Sequence, residues 1–170
     1  MRDWLSLLAQ ELASKPIRVF LLFWALTQFF YVETLESGFV TDFTGLQQRL
    51  EGAAFLDFLH CFGFPALAQV SNLGLWLLHS LGAQGLHWHL VFTTLHALNA
   101  LLIFVLGRKL FWRSGVRRAS TFALLAGLLF LLSPYQTEPV VWRVCLNFLL
   151  SSFFMLAALY ALTNWLDRRG

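Results

Sequence analysis

The sequence predicts an all-α membrane protein with about four transmembrane helices and a long outer loop that carries amphipathic interfacial helices. Three observations lead there. Charged residues make up only 12% of the 170 positions, about half the share found in soluble domains. Hydrophobic residues make up 58%, with 18 Phe and 7 Trp, and the mean hydropathy is +0.67; rings in such numbers suit lipid-facing surfaces and headgroup belts. The bases sit beside apolar runs instead of forming one stripe, so the net charge of +3 does not point to nucleic acid.

Residues 1–16 are the first element. Trp4, Leu5, Leu8 and Leu12 recur at helical spacing, with Arg2, Asp3, Glu11 and Lys15 elsewhere. This predicts a cytoplasmic amphipathic helix on the membrane surface, ended by Pro16. Residues 17–170 read as one four-span helical domain, without internal repeat or linker. Residues 17–32 are the first span, slightly short of the roughly 20 residues a bilayer needs, and Arg18 lengthens it by snorkelling. No small-x-small cleavage site ends this run, so it is expected to stay as a span.

Residues 33–85 form the long loop. Glu33, Glu36, Asp42, Glu51 and Asp57 stand there against one base, Arg49. Positions Leu46, Leu50, Ala53, Ala54, Asp57 and Phe58 predict an amphipathic helix over 44–61. A second helix, over 71–81, is expected to start at a cap, Ser71 or Asn72. Residues 86–107 are the second span, followed by a basic loop of Arg108, Lys109, Arg113, Arg117 and Arg118. Residues 119–132 are the third span and 140–165 the fourth, joined by the turn SPYQTEPVVWR; Asp167, Arg168 and Arg169 follow.

Charge sets the orientation. With both termini cytoplasmic, the inner segments hold ten Lys and Arg and the outer segments only Arg49 and Arg143, a strong positive-inside asymmetry. A fifth span over 65–81 would put the basic loop outside, so that segment is expected to lie in the interface or to be re-entrant. The cytoplasmic or inner membrane is the expected location. Cys61 and Cys145 have neither metal nor redox spacing and read as apolar filler.

Polar groups near a bilayer are costly, so each needs an explanation. Asp42 lies in the outer loop, where it suits a general base or an N-cap for the 44–61 helix. His89, His96 and Asn99 share one helical face, beside His87. His89 and His96 are two turns apart, about 10 Å, too far for one metal ion; they read as a polar packing stripe, with His89 near enough to the surface to touch a phosphate. Glu138 and Arg143 share the outer turn. Arg143 has the fork to bind a phosphate and Glu138 can orient a hydroxyl, or the two pair with each other. Asp57 and His60 read as a local pair. No Walker loop, dinucleotide fingerprint, HExxH or nucleophile elbow occurs.

Three stretches together resemble a known family: LHWHLVFTTLHALNALLIFVLGRKLF, LLAGLLFLLSPYQTEPVVW, and an outer loop with an acidic residue soon after the first span. They are similar to GT-C-type integral membrane glycosyltransferases, in the branch with polyprenyl-phosphate-dependent O-mannosyltransferases, over about residues 17–162. The resemblance implies the amino-terminal module of an enzyme that transfers a sugar, with inversion, from a polyprenyl-phosphate carrier to an acceptor on the outer face. It implies Asp42 as catalytic base, and His89, His96, Asn99 and Glu138 as lining of the donor or acceptor site. Ser133 stands where the family often has His, and Arg143 matches no family position. Family members typically have eight or more spans, so a carboxy-terminal half or a further membrane subunit is expected as partner. No resident cofactor is assigned, although a divalent metal is compatible with the chemistry. The alternative is a non-catalytic membrane scaffold of a larger complex.

Overall fold

A computed structural model describes residues 11, 14–35, 65–142 and 145–169. The expected helix over 44–61, Asp42, Asp57, His60 and Arg143 lie outside the described residues, as does most of the 1–16 segment. Among the described residues the protein is all-helical. The helices are α1 (Pro16–Phe30), α2 (Pro65–Ser80), α3 (Gly85–Arg113), α4 (Ala119–Leu131), α5 (Thr137–Val141) and α6 (Leu146–Asp167). Short 3-10 turns cover Val32–Leu35 and Pro134–Gln136.

Two helices, α3 and α6, are long and apolar enough to cross a membrane. α4 and Pro134–Val141 pass the same test of length and apolarity only together, bent by 53°, as a broken span or a re-entrant loop. At 15 residues α1 is apolar but shorter, spanning about 22 Å against a hydrocarbon core of about 30 Å. Proline opens α1 because its fixed φ suits the first helical position, where no N–H is needed.

α3 is the central helix. α1 runs antiparallel to it, since Trp24 meets Thr94, Gln28 meets Thr93 and Thr34 meets His89. α4 is also antiparallel, with Gly107 against Ala123 and His96 against Leu131. α6 runs parallel to α3: Asn99 reaches Leu149, and Lys109 reaches Asn164. Packing forms two clusters. Tyr31, Leu75, Trp88, Phe92, Val140 and Leu146 close one end, and Val19, Phe23, Ala97, Ala100, Phe104 and Ala123 fill the rest. Small residues on α3 and α4 allow the close approach that drives helix association in lipid. α6 is peripheral, with Leu146 and Leu149 its buried residues.

Three sequence expectations need correction. Ser71 and Asn72 do not cap a helix; both are buried in mid-helix, because α2 starts six residues earlier at Pro65. Residues 108–113, expected as loop, are helical. α3 continues to Arg113 because its charged last turns find partners on α6. The fourth span does not start at Val140. Trp142 is extended and separates α5 from α6, so the quoted turn is a 3-10 turn plus a short helix that buries Val140.

Candidate functional site

A polar network joins the end of α1 to the start of α3. The Thr93 hydroxyl donates to the carbonyl of His89 at 2.6 Å, a bond internal to α3. Thr93 Oγ1 must therefore accept from Gln28 Nε2, 2.8 Å away. That turns Gln28 Oε1 toward His89 Nε2, also at 2.8 Å, so Nε2 carries the proton. Thr34 Oγ1 lies 2.6 Å from His89 Nδ1 and 2.7 Å from the carbonyl of Tyr31. Its hydroxyl proton completes the neutral imidazole when it points at Nδ1. Trp24 Nε1 adds a bond to Thr94 at 3.0 Å. His89 is thus buried and fully engaged, and fixes the Val32–Leu35 turn above it.

The other two members of the α3 stripe do different work. His96 donates from Nε2 to the carbonyl of Leu131 at 3.1 Å, one of the carbonyls left over at the end of α4. Its ring lies between Tyr31, edge-on at 5.9 Å, and Phe130 at 5.2 Å. Asn99 donates to the carbonyl of Leu149 on α6 at 3.0 Å. Both side chains are fully buried. His96 Nδ1 and Asn99 Oδ1 have no partner among the described residues. His87 caps α3, with Nδ1 accepting the N–H of Gln84 at 3.2 Å.

A cleft of about 360 Å³ opens beside this network, between the end of α1 and the 133–141 segment. Tyr31, Glu33, Thr34, Ser133 and Thr137 supply its polar lining. Glu138 is exposed next to it, in the first turn of α5, where a carboxylate complements the helix dipole. His96 and Asn99 do not line the cleft; His96 backs its Tyr31 wall. Sequence reasoning missed Gln28, Tyr31, Thr34 and Thr137, and counted Glu33 only as a loop acid. The available signal was a glutamine and two threonines within or just beyond an apolar run, which is costly in lipid unless paired.

The opposite end is basic. Lys109 and Arg113 share the Asp167 carboxylate, and Lys109 also donates to Asn164 Oδ1 at 2.6 Å. Arg169 stacks over Trp165 at 4.0 Å.

No group of three or more His, Cys, Asp or Glu stands close enough to hold a metal ion among the described residues. Comparison of the chain with protein-family models, with curated proteins and with solved structures finds no match.

Proposed function

We propose that this chain is a membrane module that handles a polyprenyl-phosphate-linked sugar, in the manner of the amino-terminal part of a GT-C glycosyltransferase. The observation that supports this is the Glu33 cleft. A carboxylate, three hydroxyl side chains and the Tyr31 ring converge on about 360 Å³, within the usual size range of small-ligand pockets, roughly 300–1,000 Å³. Sugar hydroxyls suit that lining, and the apolar helices beside it leave the prenyl chain in the bilayer. In the reaction, a carboxylate takes the proton of the acceptor hydroxyl. The acceptor oxygen then attacks the anomeric carbon, and the carbon–oxygen bond to the phosphate breaks, so polyprenyl phosphate leaves with the electron pair. Asp42 is the base in this reading, and Arg143 supplies the fork that binds the departing phosphate. The positive-inside pattern supports an outer-face cleft in a four-span arrangement.

The test uses the chain in lipid nanodiscs. Native mass spectrometry should show a polyprenyl-phosphate hexose binding more tightly than the sugar-free polyprenyl phosphate. Glu33→Gln should weaken the sugar-bearing lipid about tenfold, or 1.4 kcal/mol. Equal binding of both lipids, unmoved by Glu33→Gln, rejects the cleft as a sugar site. In a transfer assay, Asp42→Asn should cost about 10²–10⁴ in rate, the range for a general base.

The exposure of α6 favours a second reading, a non-catalytic subunit. Phe148, Phe154, Met155, Leu159 and Leu162 leave a long apolar row uncovered. Under this reading Asp42→Asn is silent, and charge reversal at Arg49, Glu51 and Asp57 releases a partner.

A further inference from the structure

All nine Lys and Arg among the described residues collect at one end of the bundle. Lys15 and Arg18 open α1, and Arg108, Lys109 and Arg113 close α3. Arg117 and Arg118 precede α4, and Arg168 and Arg169 follow α6. Among the described residues, the acids there are Glu11 and Asp167. Glu11 is exposed, 3.8 Å from Arg18, and Asp167 is shared between Lys109 and Arg113. Among the described residues, the end therefore keeps a large positive excess.

This end is concave. A cleft of about 450 Å³ lies between the last turns of α3 and α6 and the start of α4, with Arg108, Lys109, Ser120 and Asn164 in its lining, together with Asp167, whose carboxylate is already shared by Lys109 and Arg113. A wider one of about 760 Å³ continues from it past Trp112 and Ser120 to Arg117, Arg118 and Thr121. Depth matters as much as charge. α3 has 29 residues, about 44 Å of helix against a hydrocarbon core of about 30 Å, so its basic last turns stand at headgroup level. Trp112 is 76% exposed and Trp165 46% exposed at the same end, as in the aromatic belts that mark the membrane interface.

We infer that this double cleft is a binding site for the phosphate headgroup of an anionic phospholipid, seated between Arg108 and the Arg117–Arg118 pair. Guanidinium forks match a phosphate bidentately. Ser120 and Thr121 offer hydroxyl donors beside them, and the acyl chains pass along Trp112 into the bilayer. The inference does not depend on the sugar-transfer reading, because it concerns the other end of the molecule.

The experiment is lipid retention by native mass spectrometry, on the full chain released from nanodiscs of equal phosphatidylglycerol and phosphatidylcholine. Wild type should retain phosphatidylglycerol at least tenfold over phosphatidylcholine. Arg117→Gln/Arg118→Gln should cut that preference at least fivefold, and Arg108→Gln should do likewise. Lys15→Gln/Arg18→Gln, at the same end but outside the cleft, should leave it unchanged. Should the double variant fail to fold, exposed Arg117→Gln alone serves. Three outcomes overturn the inference: no preference in wild type, equal loss from the Lys15/Arg18 variant (a diffuse surface field), or displacement of the lipid by soluble glycerol phosphate at comparable concentration (a site for a free phosphate).

Discussion

At Gly127, absence of a side chain decides how α1, α3 and α4 meet. A Cβ there would lie 2.6 Å from Phe23 Cζ and 3.1 Å from the carbonyl oxygen of Ala100. Phe23 is fully buried and has little room to swing. Gly127→Ala should therefore destabilise the bundle by about 1–3 kcal/mol, the usual cost of overpacking. A denaturant titration in detergent checks this, with Gly74→Ala as comparison, since the flexible end of Leu146 is its nearest contact at 3.1 Å. A loss at Gly127 no larger than at Gly74 would mean that the three-helix junction adjusts freely. The histidine stripe shows how far single residues were legible. Spacing correctly put His89, His96 and Asn99 on one helix as a packing stripe, but His89, expected near enough to the surface to touch a phosphate, is buried with both ring nitrogens engaged. Spacing could not assign their partners, which lie on α1, α4 and α6 respectively. A central helix is surrounded, so side chains on one stripe meet different neighbours at different heights, and those neighbours are far away in sequence.

Helix existence was read more reliably than helix ends. Apolar runs marked α1, α3, α4 and α6, because a bilayer demands uninterrupted apolar stretches with internally paired backbone. The ends depended on contacts that no local pattern contains. Arg108 to Arg113 looked like a loop because they are charged, yet α3 carries them onward, and Lys109 and Arg113 meet Asp167 at the end of α6. That meeting fastens two parallel helices at their C-terminal ends. Its strength is limited by water: the Asp167 and Arg113 side chains are about two-fifths exposed, while Lys109 is better covered. Exposed pairs contribute roughly 0–1 kcal/mol. Asp167→Asn should accordingly lower stability by no more than about 1 kcal/mol at low salt, and the difference from wild type should shrink as salt screens it. Thermal melts at two ionic strengths measure both. A loss that is independent of salt would assign Asp167 a packing role instead.

At the scale of the whole molecule, charge among the described residues is polarised. The bases gather where α1 begins, α3 ends, α4 begins and α6 ends, while Glu33 and Glu138 lie at the opposite end beside the cleft. Counting bases by segment had anticipated this division, because translocation cost acts on whole loops and leaves its mark in composition. The cleft itself was not legible, since it forms only when the Val32–Leu35 turn and the 133–141 segment are brought together by packing on α3. If the bundle crosses the bilayer as its polarity implies, the two ends must face different compartments. Cysteines placed at Tyr135, which is 87% exposed, and at Arg117 test this, in a background where Cys61 and Cys145 are replaced by Ala. A membrane-impermeant maleimide added to intact cells should label Tyr135→Cys, and should reach Arg117→Cys only after permeabilisation. Labelling of both from the same side would break the four-span arrangement. It would also separate the Glu33 cleft from any outward-facing chemistry, because a lipid-linked sugar presented on one leaflet cannot be served by a cleft that opens on the other.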